Sequence, residues 1–317
     1  MTNSFERILV TGATGFLGRH IVPALRLALP ASEVIGVGSR DYDLLQPGAA
    51  EKMLREIRPD AVVHLAAKVG GIVANKKYAA DFFYENVLLN TLTFEAAFRA
   101  KVKKFLTLIG GCSYPARATS PIREDEMWNG YPQAESAAYS CAKKMILVQS
   151  EACRQQYGFN SVVLIPGNVY GEYDNFNQEY SHVIPALIRR FVEAGERGDR
   201  TIACYGSGRP TRDFVYAGDV AALIPWFLKN YDTGLPINLS TGVRVPIREL
   251  AETLQRLTGF RGELLWDTTK PDGQLDKIFD PTRLQALGLS CPTSLEDGLR
   301  RTIAWFLKAR ATGEVRL

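Results

Sequence analysis

The chain has 317 residues, 46% hydrophobic and 23% charged, an ordinary globular composition that excludes disorder, collagen-like repeats and a coiled coil. Its 38 Lys+Arg against 34 Asp+Glu leave a formal charge of +4, and the densest basic cluster (Lys101, Lys103, Lys104) has no interleaved aromatics, so it reads as a solvated helix end and not as a nucleic-acid surface. Five scattered cysteines (Cys112, Cys141, Cys153, Cys204, Cys291) form no CxxC pair, which argues against a disulfide framework or a metal site and for a reduced, cytoplasmic setting.

The strand-like run Arg7-Ile8-Leu9-Val10-Thr11 is reached without a charged leader and cleavable apolar stretch, so no signal peptide is expected. Val34-Ile35, Ala61-Val62-Val63-His64-Leu65, Phe105-Leu106-Thr107-Leu108-Ile109 and Ser161-Val162-Val163-Leu164-Ile165 predict further strands, buried on both faces as in a parallel sheet covered by helices. Between them, residues 16–29, 49–57, 80–99 and 138–157 are long enough for helices. This βαβαβ rhythm predicts an α/β fold, a Rossmann-like doubly wound parallel sheet.

After Pro166, loops at 166–168, 206–210 and 270–273 separate shorter elements and predict a smaller C-terminal substrate-binding lobe. The expected division is a cofactor-binding unit over 1–170, with returning segments within 210–242, and a lobe over 171–317. The most apolar stretch, 220–228, is far shorter than the roughly 20 residues of a membrane span and contains Pro225, so no membrane role is expected. Thr293-x-x-Glu296 predicts a capping box opening a last helix, with Leu295, Leu299, Ile303 and Phe306 on one face.

Gly12-Ala13-Thr14-Gly15-Phe16-Leu17-Gly18 joins the first strand to the first helix. Glycines at this spacing permit a tight turn and close approach of backbone to a pyrophosphate, which the free N–H groups of the helix N-terminus then hold. A bare βα turn also uses glycine, but the position at the start of a βαβ unit points to a dinucleotide site. A carboxylate at the end of the second strand binds the ribose 2′-hydroxyl of NAD, whereas Arg accommodates the 2′-phosphate of NADP. The segment here is Gly36-Val37-Gly38-Ser39-Arg40-Asp41: Ser39 and Arg40 favour NADP(H) over NAD(H), while Asp41 is the carboxylate alternative should the strand run longer, and a solvated turn charge is the bland reading of Arg40.

Tyr139-Ser140-Cys141-Ala142-Lys143 sets a phenol and an ammonium at i and i+4 on one face of a predicted helix. A cation beside a tyrosine lowers its pKa and lets it exchange a proton with a carbonyl or alcohol oxygen near neutral pH. Glycine turn and YxxxK, in this order and spacing, resemble the short-chain dehydrogenase/reductase superfamily in its extended form.

A closer resemblance is carried by Ala66-Ala67-Lys68-Val69-Gly70-Gly71-Ile72-Val73-Ala74-Asn75, Asn168-Val169-Tyr170-Gly171 with Asp174-Asn175-Phe176, Ser181-His182-Val183-Ile184-Pro185 and Lys270-Pro271-Asp272-Gly273. Through these segments nearly the whole chain is similar to the GDP-L-fucose synthase family, NADPH-dependent epimerase/reductases acting on GDP-4-keto-6-deoxy-mannose. The resemblance implies that Tyr139 protonates the sugar C-4 oxygen, that Lys143 tunes it and holds the nicotinamide ribose, and that Cys112 and His182 form the epimerisation pair. A 4-ketone acidifies the hydrogens at C-3 and C-5, so a thiolate/imidazole pair suits their removal and return. It further implies NADP(H) contacts from Gly12, Thr14, Gly15, Phe16, Leu17, Gly18, Ser39, Arg40, Leu108, Gly110, Lys143, Pro166, Asn168, Val169 and His182. Arg190, Tyr205, Arg212 and Asp272 are implied as contacts of the GDP-sugar, no metal is implied, and a homodimer through the helices near 82–99 and 138–157 is expected.

Two departures from the family pattern matter. Where the family has a Ser or Thr that hydrogen-bonds the keto oxygen, this chain has Gly110 in Ile109-Gly110-Gly111-Cys112-Ser113-Tyr114-Pro115. Three explanations stand open: a water or a substrate hydroxyl replaces the group, Ser113 swings in, or the pocket is widened for a larger sugar. Asp276 also stands before Lys277 where the family has a base. The competing functional readings are therefore a dual epimerase/reductase, an enzyme performing one half only, and a catalytically silent NADP-sensing protein.

Overall fold

The computed structural model describes residues 4–270 and 272–317, so Pro271 of the 270–273 segment lies outside the described residues. The first apolar run forms β1 (Arg7–Thr11), whose Ile8, Leu9 and Val10 are fully buried. In βα alternation follow α1 (Phe16–Ala28), β2 (Glu33–Val37), α2 (Ala49–Ile57), β3 (Ala61–His64), α3 (Ile72–Lys77), α4 (Ala79–Arg99), β4 (Lys104–Leu108), α5 (Ala137–Tyr157) and β5 (Ser161–Pro166). The later chain contributes β6 (Asn168–Tyr170), α6 (Val183–Arg197), β7 (Thr201–Tyr205), β8 (Thr211–Arg212), β9 (Phe214–Tyr216), α7 (Ala217–Asn230) and β10 (Ile237–Leu239). It ends in β11 (Val245–Pro246), α8 (Ile247–Thr258), β12 (Glu263–Asp267), β13 (Asp276–Lys277), α9 (Thr282–Ala286) and α10 (Leu295–Ala311).

Six parallel strands form one sheet in the order β10-β5-β4-β3-β1-β2. Strand order reverses between β1 and β3, and in such sheets ligands bind in the crevice beyond the strands' carboxyl ends at that reversal. One face is covered by α1 and α7 (Ile21, Leu25, Ile224, Leu228), the other by α2, α4 and α5 (Met53, Phe94, Ile146). A third core, with Leu187 of α6, Leu254 of α8 and Phe306 of α10, packs under the two-stranded β12-β7 sheet. Among the described residues no helix is long and apolar enough to cross a membrane.

Three local readings of the sequence are corrected by tertiary context. β2 is the sheet edge and is only half covered, with Glu33 and Gly36 exposed. Lys104 is no solvated charge: it is fully buried and donates to the Tyr231 carbonyl at 2.7 Å and to Asp232 Oδ1 at 2.8 Å. The cap of α10 is Ser294, not Thr293, since Ser294 Oγ accepts from the Asp297 N–H at 3.1 Å while Thr293 donates from its backbone and hydroxyl to the Asp219 carboxylate.

The C-terminal residues return to the glycine turn. Arg316 bridges Asn175 in parallel, accepts from the Phe176 N–H at 2.9 Å, and donates from its guanidinium to the Thr14 carbonyl at 3.1 Å. Beside this crossing Asp174 is buried; its Oδ1 accepts from the Asn175 N–H at 2.7 Å and its Oδ2 has no hydrogen-bond partner among the described residues. Burial pushes its carboxyl up to about 7 against the opposing pull of the Asn175 N–H and Arg316.

The folded chain thus binds a proton at Asp174 more tightly than the unfolded chain, so this residue's contribution to stability is largest in acid and falls as pH rises from about 4 to about 7. Asp174→Asn should flatten that part of the pH dependence of urea unfolding. Ser294→Ala should lower stability by about 1 kcal/mol through loss of the α10 cap, read from the same unfolding curves.

Candidate active site

At the end of β1 the chain turns at Gly12, whose φ of +68° is a left-handed conformation that suits glycine. A Cβ there would stand 2.8 Å from the backbone of Leu65 and Ala66, and a Cβ at Gly18 would stand 2.5 Å from the Cα of Ala13. No side chain fits at either point, so the turn lies directly against β3 and α1 starts directly behind it. Gly15 is the N-cap of α1, and no side chain caps the first amides. The turn therefore leaves the first amides of α1 open to an anion such as a pyrophosphate, while the Gly15 N–H closes back on the Gly12 carbonyl at 2.9 Å.

Beside it a cavity of about 380 Å3, lined by Thr14, Gly38, Ser39, Leu44, Ala66 and Leu89 among others, offers space for an adenosine. Ser39 and Arg40 are exposed in the turn beyond β2. Asp41 folds back instead, its Oδ2 accepting from the Gly38 N–H at 2.7 Å. Its carboxylate is engaged in the turn, while Ser39 lines the cavity and Arg40 stays exposed beside it.

Leu108 and Pro166 are the last residues of neighbouring strands β4 and β5, and Asn168 and Val169 begin β6, so these positions gather along the same crevice. Asn168 is fixed there by hydrogen bonds from its backbone N–H and its Nδ2 to the Asp213 carbonyl, both at 2.9 Å. Gly110 follows β4 and opens a single helical turn, Gly111–Ser113, carrying the half-buried Cys112. A Cβ on Gly110 would lie 3.1 Å from Cys112 Sγ and 3.8 Å from the Tyr139 hydroxyl. Thiol and phenol thus flank one point, the point from which a Ser or Thr side chain would have projected.

Tyr139 and Lys143 share the inner face of α5 and both are buried. The expectation that the lysine lowers the phenol is not met. Burial drives the Tyr139 pKa up, with Cys112 adding to the shift, and the ammonium is turned to Asn90 Oδ1, to which it donates at 3.4 Å. Tyr139 is a protonated phenol at neutral pH. Burial also lowers Lys143, to about 8, against the support its charge receives from Cys112.

His182 is the N-cap residue of α6. Its side chain is exposed, and the protein packed around it lowers its pKa from the ordinary imidazole value. Its loop is held against the Ala66–Asn75 segment: Gly71 donates to the Tyr180 carbonyl at 2.8 Å, and a Cβ on Gly71 would strike the Ser181 carbonyl. Tyr180 and Cys112 pack on one small apolar cluster with Phe82 and Tyr139. The paired glycines thus bring the His182 loop to the Cys112–Tyr139 site.

Across the crevice, Arg190 donates to the Ala203 carbonyl at 2.9 Å and its guanidinium lies 5.5 Å from the ring centre of the exposed Tyr205. Arg212 is half-buried and donates to the Gln274 carbonyl at 2.7 Å. Asp272 accepts from Ser207 at both carboxylate oxygens, at 2.6 and 2.8 Å, and so fastens the 206–208 loop. Asp276 pairs with Thr211 and Arg244, leaving the next residue, Lys277, to point the opposite way, as strand alternation requires. Lys277 pairs in register with Arg212, lies within electrostatic reach of Cys112, and is lowered by burial. The sequence motif contained Lys277 without assigning it a place, and the signal was alternation with the buried Phe279, whose ring packs on Gly111. Asn90 had no such signal.

Residues 8–240 match the model of the NAD dependent epimerase/dehydratase family. The chain is 38% identical over 302 residues to a GDP-L-fucose synthase of Sinorhizobium fredii, covering 95% of this chain and 96% of that one. It superimposes with a TM-score of 0.89 and 29% identity on a GDP-L-fucose synthetase of Naegleria fowleri bound to NADP, over 100% of this chain and 98% of that one. A GDP-mannoheptose C4 reductase of Campylobacter jejuni with NADP bound matches with a TM-score of 0.85 and 25% identity, over 95% and 98%. With its glycine cradle, its Ser39-Arg40 turn and these likenesses in hand, the chain belongs to the NAD dependent epimerase/dehydratase family, in the branch of the GDP-L-fucose synthases, and its cofactor is NADP(H).

Proposed function

We propose that the protein is a dual epimerase/reductase that converts a GDP-4-keto-6-deoxy sugar of the mannose series, epimerising at C-3 and C-5 and reducing at C-4. The observation that carries this reading is the meeting of a protonated Tyr139 phenol and the Cys112 thiol within 4 Å of one point, with the Lys143 ammonium on the same helix face. When bound, NADPH supplies the hydride. Tyr139 Oη donates its proton to the C-4 oxygen, and Lys143 stabilises the phenolate that remains. Cys112 Sγ and the neutral His182 imidazole exchange protons at C-3 and C-5, which the ketone acidifies. Arg212 and Lys277 are the cations for the diphosphate, and Arg190 with Tyr205 borders the nucleotide.

Of the three accounts of Gly110, two lose support. Ser113 Oγ is buried and donates to the Ser140 carbonyl at 3.4 Å, so it is engaged away from the sugar site. Widening at Gly110 is countered by Cys112 Sγ, which already closes on that position. A water or the substrate's own hydroxyl remains to polarise the ketone. The one-half reading, an epimerase with feeble reduction, is favoured only by the missing hydroxyl. The silent-sensor reading has no support from a site in which Tyr139, Lys143, Cys112 and His182 are all kept. Exposed Phe83 and Tyr84 on α4 and Met145 and Val148 on α5 support a homodimer through these helices, which sedimentation tests directly.

With GDP-4-keto-6-deoxy-mannose in heavy water, the protein should incorporate deuterium at C-3 and C-5 and consume NADPH; exchange without consumption would leave an epimerase, and neither signal would sink the proposal. Tyr139→Phe should keep the exchange and slow NADPH consumption by roughly 100-fold or more. Gly110→Ser, which asks Cys112 Sγ to shift by a few tenths of an ångström, should speed reduction by about 10-fold relative to exchange.

A further inference from the structure

Two successive glycines, Gly110 and Gly111, precede Cys112, and neither has the left-handed φ at which a side chain would be strained. What restricts side chains there is the surroundings. At Gly110 the atom nearest to a Cβ is Cys112 Sγ, at 3.1 Å, the end of a side chain that can give way. At Gly111 the nearest atoms belong to one ring: a Cβ would stand 2.3 Å from Cζ, 2.9 Å from Cε1 and 3.0 Å from Cε2 of Phe279. The end of that ring therefore lies flush on the Gly111 backbone and takes the place of a side chain.

Phe279 has little room to retreat. It is 1% exposed, and the Tyr114 ring stands with its centre 5.6 Å from its own. Its backbone is anchored as well: the Phe279 carbonyl accepts from Ser240 Oγ at 2.7 Å, the Ile278 carbonyl accepts from the Ile122 N–H at 2.8 Å, and the Asp280 N–H donates to the Ile122 carbonyl at 2.9 Å. The turn that it touches is only the three residues Gly111–Ser113, closed by local bonds from the Ser113 N–H to the Gly110 carbonyl at 2.9 Å and from the Tyr114 N–H to the Gly111 carbonyl at 3.4 Å. A fixed ring thus bears on a short turn, and Cys112 is the middle residue of that turn.

We propose that Phe279 is a positioning residue for Cys112: the end of its ring, seated on Gly111, fixes the Gly111–Ser113 turn and so keeps the thiol at the point it shares with the Tyr139 hydroxyl. Gly111 is the other half of the fit, since any side chain there would collide with the ring. Phe279 follows Lys277 by two residues, on the segment whose Lys277 pairs in register with Arg212. The thiol is therefore placed from the strand that bears these two cations as well as from the end of β4. Neither Phe279 nor Gly111 carries a side-chain group that takes or gives a proton, so both act only through Cys112.

Gly111→Ala puts a methyl into the ring and must lift the turn, whereas Phe279→Leu withdraws the ring end and opens the space that methyl needs. Alkylation of Cys112 by iodoacetamide, followed on its own peptide by mass spectrometry, reads the access and ionisation of the thiol and needs no sugar. Gly111→Ala should change that rate by about 3-fold or more, and adding Phe279→Leu should return it to within about 2-fold of wild type. With the 4-keto sugar in heavy water, Gly111→Ala should slow deuterium exchange by roughly 10- to 100-fold, Phe279→Leu should slow it less, and the double variant should be no slower than Phe279→Leu alone. NADPH affinity from nicotinamide fluorescence should stay within about 2-fold of wild type in all three, which general damage to the fold would not allow. The exchange rates rest on the reaction proposed above: a wild type without exchange would mark that reading as the failure, while alkylation still tests the seat. Losses that add in the double variant, a Cys112 alkylation rate unmoved by Gly111→Ala, or an NADPH affinity that falls with the exchange rate would each overturn the proposal. Should Gly111→Ala fail to fold, the double variant decides: folding with near wild-type alkylation supports the fit, and failure to fold there too overturns it.

Discussion

Everything in the active site hangs on how closely backbone meets backbone at the carboxyl ends of β1 and β3. Because a Cβ at Gly12 would stand 2.8 Å from the Leu65–Ala66 backbone, the turn can lie flat on β3 and α1 can begin with its amides open. That contact places Leu65 and Ala66 so that both donate to Thr11 Oγ1, and both line the cavity beside the turn. The same device recurs at Gly71, which lets the Tyr180–Ser181 backbone close on the loop that carries His182. Glycine is used at both places for what it omits. Two missing side chains bring the parts of the chain that bear the cofactor cradle, Tyr139 and His182 into one crevice.

Once closed, that crevice is governed by desolvation. Tyr139 is pushed up and Lys143 is pushed down by burial, and the protein around the exposed His182 lowers it too, so each group is moved toward its neutral form. An i, i+4 Tyr/Lys pair on an exposed helix would behave as the sequence suggests, with the cation depressing the phenol. Inside the protein the cost of a phenolate without solvent exceeds that benefit, and the ammonium has Asn90 as its partner. A protonated phenol and a neutral imidazole are the states that an acid and a base respectively need at the outset of a proton transfer. Burial thus prepares both ends of the chemistry at one pH.

How much of this was legible in the sequence follows from the range of the interactions involved. The strands and helices of the first half were readable because β-branched runs and amphipathic stretches report burial locally, and the glycine turn because its spacing is a local constraint. What was not readable depends on partners far along the chain. Lys104 looks like a surface charge until Tyr231 and Asp232 are folded against it, and Thr293 looks like a helix cap until Asp219 claims it. That Asp272 fastens the 206–208 loop through Ser207 is likewise visible only once residues 65 positions apart are folded together. Asn90 lies in a run that reads as nothing more than helix, and only the packing of α4 against α5 brings it to Lys143.

The glycine at position 110 shows how a site can lose a group without gaining a void. Cys112 rides on the turn just beyond it, and Sγ sits 3.1 Å from where a side chain would begin, so the sulfur narrows the space at that position. Phe279 packs on Gly111 and holds that turn in place, while Lys277, two residues earlier on the same extended segment, lies within electrostatic reach of the same sulfur. The thiol therefore stands among Tyr139, Lys143 and Lys277 with less freedom to move than a residue on an open loop would have. Under the proposed reaction, a substrate ketone entering this site would meet the sulfur and the phenol side by side. In the proposed arrangement the proton at carbon and the proton at oxygen would be handled from adjoining atoms, and the balance between epimerisation and reduction would be set by which of the two the sugar approaches more closely.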